Sequence, residues 1–287
     1  MSATLPSAQA RQRLGRRLRA LRVTAGLSGD QLAELIGTSQ SRVSRTELAK
    51  FRASLDMIRR WLDATGADEQ TRAELLRLAE QSLVEMESYR SIFRGSIATG
   101  QSIALEQEQA SARIRHFQPF MIPGLLQTAA YAEALLRAGR AAEETGLAEA
   151  VATRLERGRR IREPGAADYH VVLMEQALRW VPLGVTDADQ AEAWGQVLAA
   201  AKAPNITVQV IPLGTPTARA PLCGFVLTEF RADLGEPPIA QVELPPVDMT
   251  FSGEKDVAAF ELAWQHMVNA ALSPQRSATY LRRLLRE

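Results

Sequence analysis

The sequence predicts a multi-domain protein: an all-α head built round a helix-turn-helix, followed by an α+β body in which a small sheet is covered by helices. Three observations carry that expectation. Residues 28–47, SGDQLAELIGTSQSRVSRTE, read as two short helices joined by a tight turn. Charge is divided unevenly, with 12 Lys and Arg against 5 Asp and Glu in residues 1–65, and 22 against 28 in the remainder. Farther along, short runs rich in Val, Ile, Leu and Phe, bounded by Pro, Gly or Asp, alternate with helical patterns. At 287 residues the chain exceeds one small helical domain, and the usual domain size implies two.

In the head, Leu14, Leu18 and Leu21 fall on one face of a helix from about Ala8 to Thr24. Arg11, Arg13, Arg16, Arg17, Arg19 and Arg22 occupy its other sides. Gly26 ends it. Ser28 and Gln31 form a capping box, so the next helix starts at about Gly29. Ala33 offers a small surface for close helix approach, and Gly37 can take the positive φ that turns the chain. Ser39 caps a second helix running to about Glu47, in which Val43 points inward while Gln40, Ser41, Arg42, Ser44 and Arg45 cover the other faces. Ser54 caps a further helix through Trp61 and Leu62 to a stop at Gly66.

A polar, exposed second helix suits base edges in a major groove. Gln bonds adenine in bidentate fashion, Arg bonds guanine O6 and N7, and Ser serves several acceptors. Gln40, Ser41, Arg42, Ser44 and Arg45 are therefore the candidate base readers. Arg16, Arg17, Ser28 and Ser39 are the candidate phosphate contacts, which set affinity and salt dependence without reading sequence. A basic head on an acidic body is the electrostatic footprint of a nucleic-acid module attached to another function.

The run GLSGDQLAELIGTSQSRVSRTE, with Leu55, Ile58 and Leu62 after it, resembles the Xre-type helix-turn-helix repressors across about residues 8–66. That resemblance implies a lambda-repressor-like head in which Gln40 and the next residues face the major groove and the start of the first motif helix touches phosphate. The chain departs from the family at Gly29, where a Gln is frequent, at Thr46, where an apolar residue is usual, and at Ala49 and Ala53, where a Gly and a later Pro stand. The loop after the recognition helix is thus expected to differ in shape.

Residues 68–95 form the next unit, between a DNA-binding domain at 1–67 and an effector domain at 96–287. From Asp68 to about Arg94 one long helix is expected, since Leu76, Ala79, Leu83, Met86 and Phe93 repeat along one seam. It either pairs with a second copy or lies against the body as a connecting helix. In the body, helices are expected at about 101–115, 128–137, 143–161, 187–202, 256–272 and 274–286. Strands are expected at 169–174, 206–212, 222–230 and 238–244. The segments ARIRHFQPFMIPGLLQTAAYAEALL, ATRLERGRRI, APNITVQVIPL and GFVLTEF resemble the effector domain of WhiJ-like regulators of actinobacteria. The resemblance implies a transcription regulator whose C-terminal domain senses a signal, sometimes with a small partner protein encoded nearby.

Catalysis is not expected. His116, His170, His266 and Cys223 stand in no metal-ligand or triad spacing, and no phosphate-cradling Gly-rich motif occurs, so no metal and no cofactor is implied. Trp180, Trp264 and Arg219 are the candidate ligand contacts, against the plainer reading of core tryptophans and a solvated loop charge. One cysteine and no apolar run of membrane-spanning length point to a cytoplasmic protein without a membrane partner. The expected function is a homodimeric, sequence-specific regulator of transcription that reads a palindromic operator in double-stranded DNA. A small effector protein or a small-molecule ligand would act on the body. The alternative is a DNA-tethered module whose body binds a small partner protein.

Overall fold

Short polar side chains start each helix of the head after the first. In a computed structural model, which describes residues 7–82, 84–88, 97–138, 146–218, 223–244 and 247–286, the head comprises α1 (Ser7–Thr24), α2 (Gly29–Ile36), α3 (Gln40–Glu47), α4 (Leu55–Ala64) and α5 (Glu69–Gln81). Ser28, Ser39, Ser54 and Asp68 each accept a backbone amide of the helix they precede, satisfying donors that the helix cannot satisfy itself. Leu14, Leu18, Leu32, Ile36, Val43, Ile58, Trp61 and Leu62 close into one core, and the Trp61 indole donates to the Leu18 carbonyl at 3.3 Å.

The single long helix expected over residues 68–94 is not formed. Its first part, α5, places Leu75, Leu78 and Ala79 in the head's own core, so that apolar face is already covered. The Ser82 hydroxyl donates to the Ala79 carbonyl where the helix ends, and Val84–Ser88 follows as strand β1. The sequence VEMES alternates apolar and polar residues, and that period of two competes with the heptad-like spacing read along the same stretch. Leu83 and Phe93 of the expected seam lie outside the described residues.

The chain divides into two compact units, Met1–Glu87 with Gly235–Ala258, and Ser88–Leu234 with Ala259–Glu287. The first unit holds the helical head together with β1, β7 (Val247–Phe251) and β6 (Ile239–Leu244), side by side in that order. Strands β6 and β7 are antiparallel, with Val242 opposite Met249.

The second unit contains α6 (Ile97–Ala110), β2 (Ser111–Gln118), a 3₁₀ turn (Gly124–Leu126), α7 (Ala129–Ala138), α8 (Leu147–Arg160), β3 (Asp168–Met174), α9 (Glu175–Arg179), α10 (Asp187–Ala200), β4 (Ile206–Ile211), β5 (Phe225–Phe230) and α12 (Pro274–Leu284). Helix α11 (Glu254–Ala270) begins in the first unit and contributes its later residues to the second. The sheet order here is β5-β2-β3-β4. β2–β3 and β3–β4 are parallel and β2–β5 is antiparallel. One face, carrying Ile114, Tyr169, Val171, Leu173, Val208 and Val210, packs with Leu125, Leu126, Tyr131, Val197 and Leu281 into the main core. On the opposite face Phe117 meets Phe225, which meets Phe260.

Strand β2 lies inside this sheet, yet the sequence reads as helix through Arg115. The reason is its charge: Arg113 and Arg115 sit in the strand and find Glu229 on β5, and Arg115 also reaches Glu261 of α11 at 3.0 Å. Only tertiary partners make such residues tolerable in a central strand. Strands β4, β5 and β6 lie within the expected ranges over their described residues and β3 begins one residue early, at Asp168, whereas β7 (Val247–Phe251) falls where the sequence predicts no strand and is formed by antiparallel pairing with β6. The expected start at Leu222, and residues 143–145 of the expected helix, lie outside the described residues.

Candidate nucleic-acid interface

The exposed end of α3 is presented by a helix whose other end is firmly held. Ser28 and Gln31 exchange both capping-box bonds, with the Gln31 amide donating to Ser28 Oγ at 3.1 Å and the Ser28 amide to Gln31 Oε1 at 2.8 Å. Gly37 takes φ +68 in the turn that follows. Within α3, Val43 and Thr46 are buried, and the Thr46 hydroxyl donates to the Arg42 carbonyl at 2.8 Å. A threonine therefore faces the core here without an unsatisfied hydroxyl.

Two further contacts fix the far end of the helix. A Cβ on Gly15 would stand 2.6 Å from the Glu47 carbonyl oxygen and 2.7 Å from that of Thr46, so α1 reaches this closely only because residue 15 is glycine. Arg22 donates from Nε to Glu47 Oε1 at 2.6 Å and from Nη2 to Oε2 at 3.0 Å, and its Nη1 holds the Leu27 carbonyl at 2.8 Å. The Glu47 side chain is only 8% exposed. The hydrogen bond from the Glu47 carboxylate holds the Arg22 guanidinium above its ordinary pKa, against a smaller effect of burial. This makes Arg22 a structural residue, unlike the exposed Arg16 and Arg17 of the same helix.

The expected loop difference is resolved by Ala49. It adopts φ +58 and closes the helix with the same bonds a glycine would, its amide donating to the Thr46 carbonyl and that of Lys50 to the Arg45 carbonyl. The left-handed conformation costs a non-glycine residue about 1 kcal/mol.

The candidate readers do not share one environment. Gln40 and Ser41 are exposed and Ser44 is half-buried. Gln40 lies over Gly29, where a Cβ would come 3.4 Å from its Cγ. Arg42 and Arg45 are half-buried, with guanidinium carbons 5.9 and 5.7 Å from the Phe51 ring centroid. Arg45 also donates to Glu236 Oε1 at 2.8 Å. Of the phosphate candidates, Ser28 and Ser39 use their oxygens as cap acceptors and retain a hydroxyl proton to donate, Arg16 is exposed, and Arg17 pairs with Glu74 at 3.0 Å. Phe51, Glu236 and Gly15 carried no sequence signal, because each acts through a residue distant in the chain.

In the body the ligand candidates are not brought together. Trp180, 38% exposed, stands edge-on to Tyr131, whereas Trp264, 5% exposed, stands edge-on to His170 with centroids 4.9 Å apart. Arg219 lies outside the described residues. An open cleft of about 590 Å³ lies elsewhere, lined by Glu106, Gln109, Arg160, Glu163, Arg231 and Leu234 among others.

The segments PGLLQT and ATRLERGRR meet at a buried junction. A Cβ on Gly158 would stand 2.8 Å from the Leu125 carbonyl oxygen. Arg154 donates to Gln127 Oε1 at 2.9 Å and to Gln101 Oε1 at 3.1 Å, while the Gln127 amide donates to the Ile122 carbonyl at 2.6 Å. Arg157 binds Glu108 through Nε at 3.0 Å and Nη2 at 2.5 Å, with both side chains largely buried. Nearby, His116 Nδ1 and the Tyr169 hydroxyl are 3.2 Å apart. Surrounding atoms, and then the charge of Arg157, push the His116 pKa down to about 4. His170 bonds Gln209 at 2.8 Å, and its pKa is lowered chiefly by burial. Burial raises the Cys223 thiol pKa. Among the described residues no group of three or more His, Cys, Asp or Glu is placed to hold a metal ion, and no helix is long and apolar enough to cross a membrane.

Comparison with known proteins matches residues 13–75 to a family model described as a helix-turn-helix domain, which takes in most of the head. No curated protein matches the chain. Among solved structures it is similar, at 12% identity and a TM-score of 0.30, to TrmBL2, an archaeal chromatin protein described as showing a novel mode of DNA binding, over 90% of this chain and 92% of that one. So low a score carries no argument about this molecule. Residues 101–283, well over half of the chain, match the family described as a domain of unknown function, DUF5753, and the protein belongs to that family, with a helix-turn-helix domain preceding its defining region.

Proposed function

We propose that the protein is a sequence-specific, DNA-binding transcription regulator whose head reads an operator through α3 and whose body controls that binding. One observation carries the reading: Gln40 and Ser41 stand exposed at the start of a polar helix whose opposite end is fixed by Gly15 and the Arg22–Glu47 pair. A helix clamped at its C-terminal end presents its N-terminal residues in one fixed geometry, as bidentate base contacts require. The Xre and WhiJ-like resemblances point the same way. A homodimer on a palindromic site belongs to this reading, because one such head makes few contacts and two-fold symmetry doubles them.

We infer a regulatory rather than a catalytic body, in a cytoplasmic protein. His116 and His170 are engaged with Tyr169 and Gln209, and the Cys223 thiol is shifted away from reactivity. The small effector protein or ligand implied by the resemblance would act there. Selection of duplexes from a random pool, followed by titration of the recovered site, tests the reading. Gln40→Ala is expected to weaken the selected site by about 1–3 kcal/mol while leaving random duplex unchanged. Equal loss on both, or no duplex binding in dilute salt, would overturn it.

A further inference from the structure

We propose that the segment Gly235–Glu236 acts as an intramolecular clamp on the recognition helix, holding Arg42 and Arg45 away from DNA until it is released. The inference rests on the DNA-binding reading of α3 and adds its regulation. Both residues belong to the same compact unit as the head, although they lie nearly two hundred positions along the chain. Arg45 Nη2 donates to Glu236 Oε1 at 2.8 Å, and the Glu236 side chain is 15% exposed while that of Arg45 is 41% exposed. The carboxylate is thus held in place and the guanidinium is the more accessible partner.

Gly235 completes the clamp. It takes φ +59, and the space where its Cβ would be is filled by the Arg42 guanidinium, so the arginine lies directly on glycine backbone. Beneath the two arginines lies the buried Phe51 ring, which gives both guanidinium planes a π face to rest on. A carboxylate on an arginine occupies the same donors that guanine O6 and N7 or a phosphate would use. DNA and Glu236 therefore compete for Arg45. Gln40 and Ser41, the first two residues of α3, stay exposed, so the clamped protein keeps part of its reading surface and loses its charged part. The clamp also follows closely on Leu234, a residue lining the open cleft of the body, so along the chain the cleft wall and the clamp are neighbours.

The test uses the full-length protein and a duplex selected with the Glu236→Gln variant, so that the site is found even when the wild type is closed. Dissociation constants are measured by fluorescence anisotropy at one fixed salt concentration, and thermal unfolding verifies that each variant is folded. Glu236→Gln is expected to tighten binding about fivefold, the upper range for one partly exposed ion pair. Asp233→Asn, which removes a neighbouring charge that pairs with Arg231 at 3.6 Å, is expected to change it by less than about twofold. In an Arg45→Ala background Glu236→Gln is expected to have no effect. Unchanged or weaker binding by Glu236→Gln would overturn the clamp, and so would an equal gain in the Arg45→Ala background, which would mark general charge repulsion. If neither the wild type nor Glu236→Gln binds any duplex, the DNA-binding reading falls and the clamp with it.

Discussion

Head and body use the same two devices to opposite ends. Each has a glycine seated on carbonyl oxygens, Gly15 against Thr46 and Glu47 in the head and Gly158 against Leu125 in the body. Each has a largely buried arginine–glutamate pair beside it, Arg22–Glu47 and Arg157–Glu108. In the head the anchored element is a helix whose far end emerges into solvent with Gln40 and Ser41. In the body the anchored element is the turn containing Leu125 and Leu126, and Gln127 and Thr128 after it are buried as well. Anchoring serves presentation in one case and burial in the other. PGLLQT is accordingly a distinctive motif that encodes packing, and its specificity as a sequence signature is no guide to a ligand site.

Breaking the ion pairs is the strongest way to challenge the comparison. Arg157→Ala and Arg22→Ala each leave a carboxylate in a poorly solvated place, and each is expected to cost about 3 kcal/mol or more in denaturant unfolding. Replacing both partners, as in Arg157→Met with Glu108→Leu, is expected to recover most of that loss. If the single and double variants unfold alike, the pair is not the anchor.

Filling the glycine contacts comes next. Gly15→Ala and Gly158→Ala each force a methyl group onto backbone oxygen and are expected to destabilise by about 1–3 kcal/mol. They should part company in a binding assay: Gly15→Ala displaces α3 and weakens operator binding by at least tenfold, or about 1.4 kcal/mol, whereas Gly158→Ala leaves the folded head's affinity unchanged. Equal effects on binding would show that the two anchors are not separate in function.

Acid sharpens the contrast further, because the body contains a histidine held neutral and the described head contains none. The folded pKa of His116, about 4, lies below its ordinary 6.5. Its contribution is therefore fully present above pH 6.5 and is lost as pH falls through 4. The ring is partly exposed, so the expected loss between pH 7 and pH 4 is only about 1–2 kcal/mol. His116→Gln should remove that share of the loss and leave the share due to His170, whose pKa burial also lowers, as unfolding curves at several pH values would show. The smallest effect is expected at Ala49, where Ala49→Gly relieves a left-handed alanine and should stabilise the head by about 0.5–1 kcal/mol. A destabilised Ala49→Gly head would mean that the loop is held by something other than its backbone bonds.

The sequence by itself determined the parts of this protein that depend on neighbours within a few residues. Ser28 with Gln31, Gly37, Ser39 and Ser54 place the helix starts and the turn because caps and left-handed glycines act within one turn of chain. Strands β3, β4 and β6 are legible from their apolar runs for the same reason. Tertiary structure decided the rest. Arg113 and Arg115 become strand residues through Glu229 and Glu261, and α5 belongs to the head because α1 and α4 cover its apolar face. Arg22 turns from a surface charge into an anchor by meeting Glu47, and Arg42 and Arg45 meet Gly235 and Glu236, a partner segment no local pattern names. Charges and apolar faces acquire their roles from what folding sets against them, and that pairing acts over separations which periodicity and capping do not span.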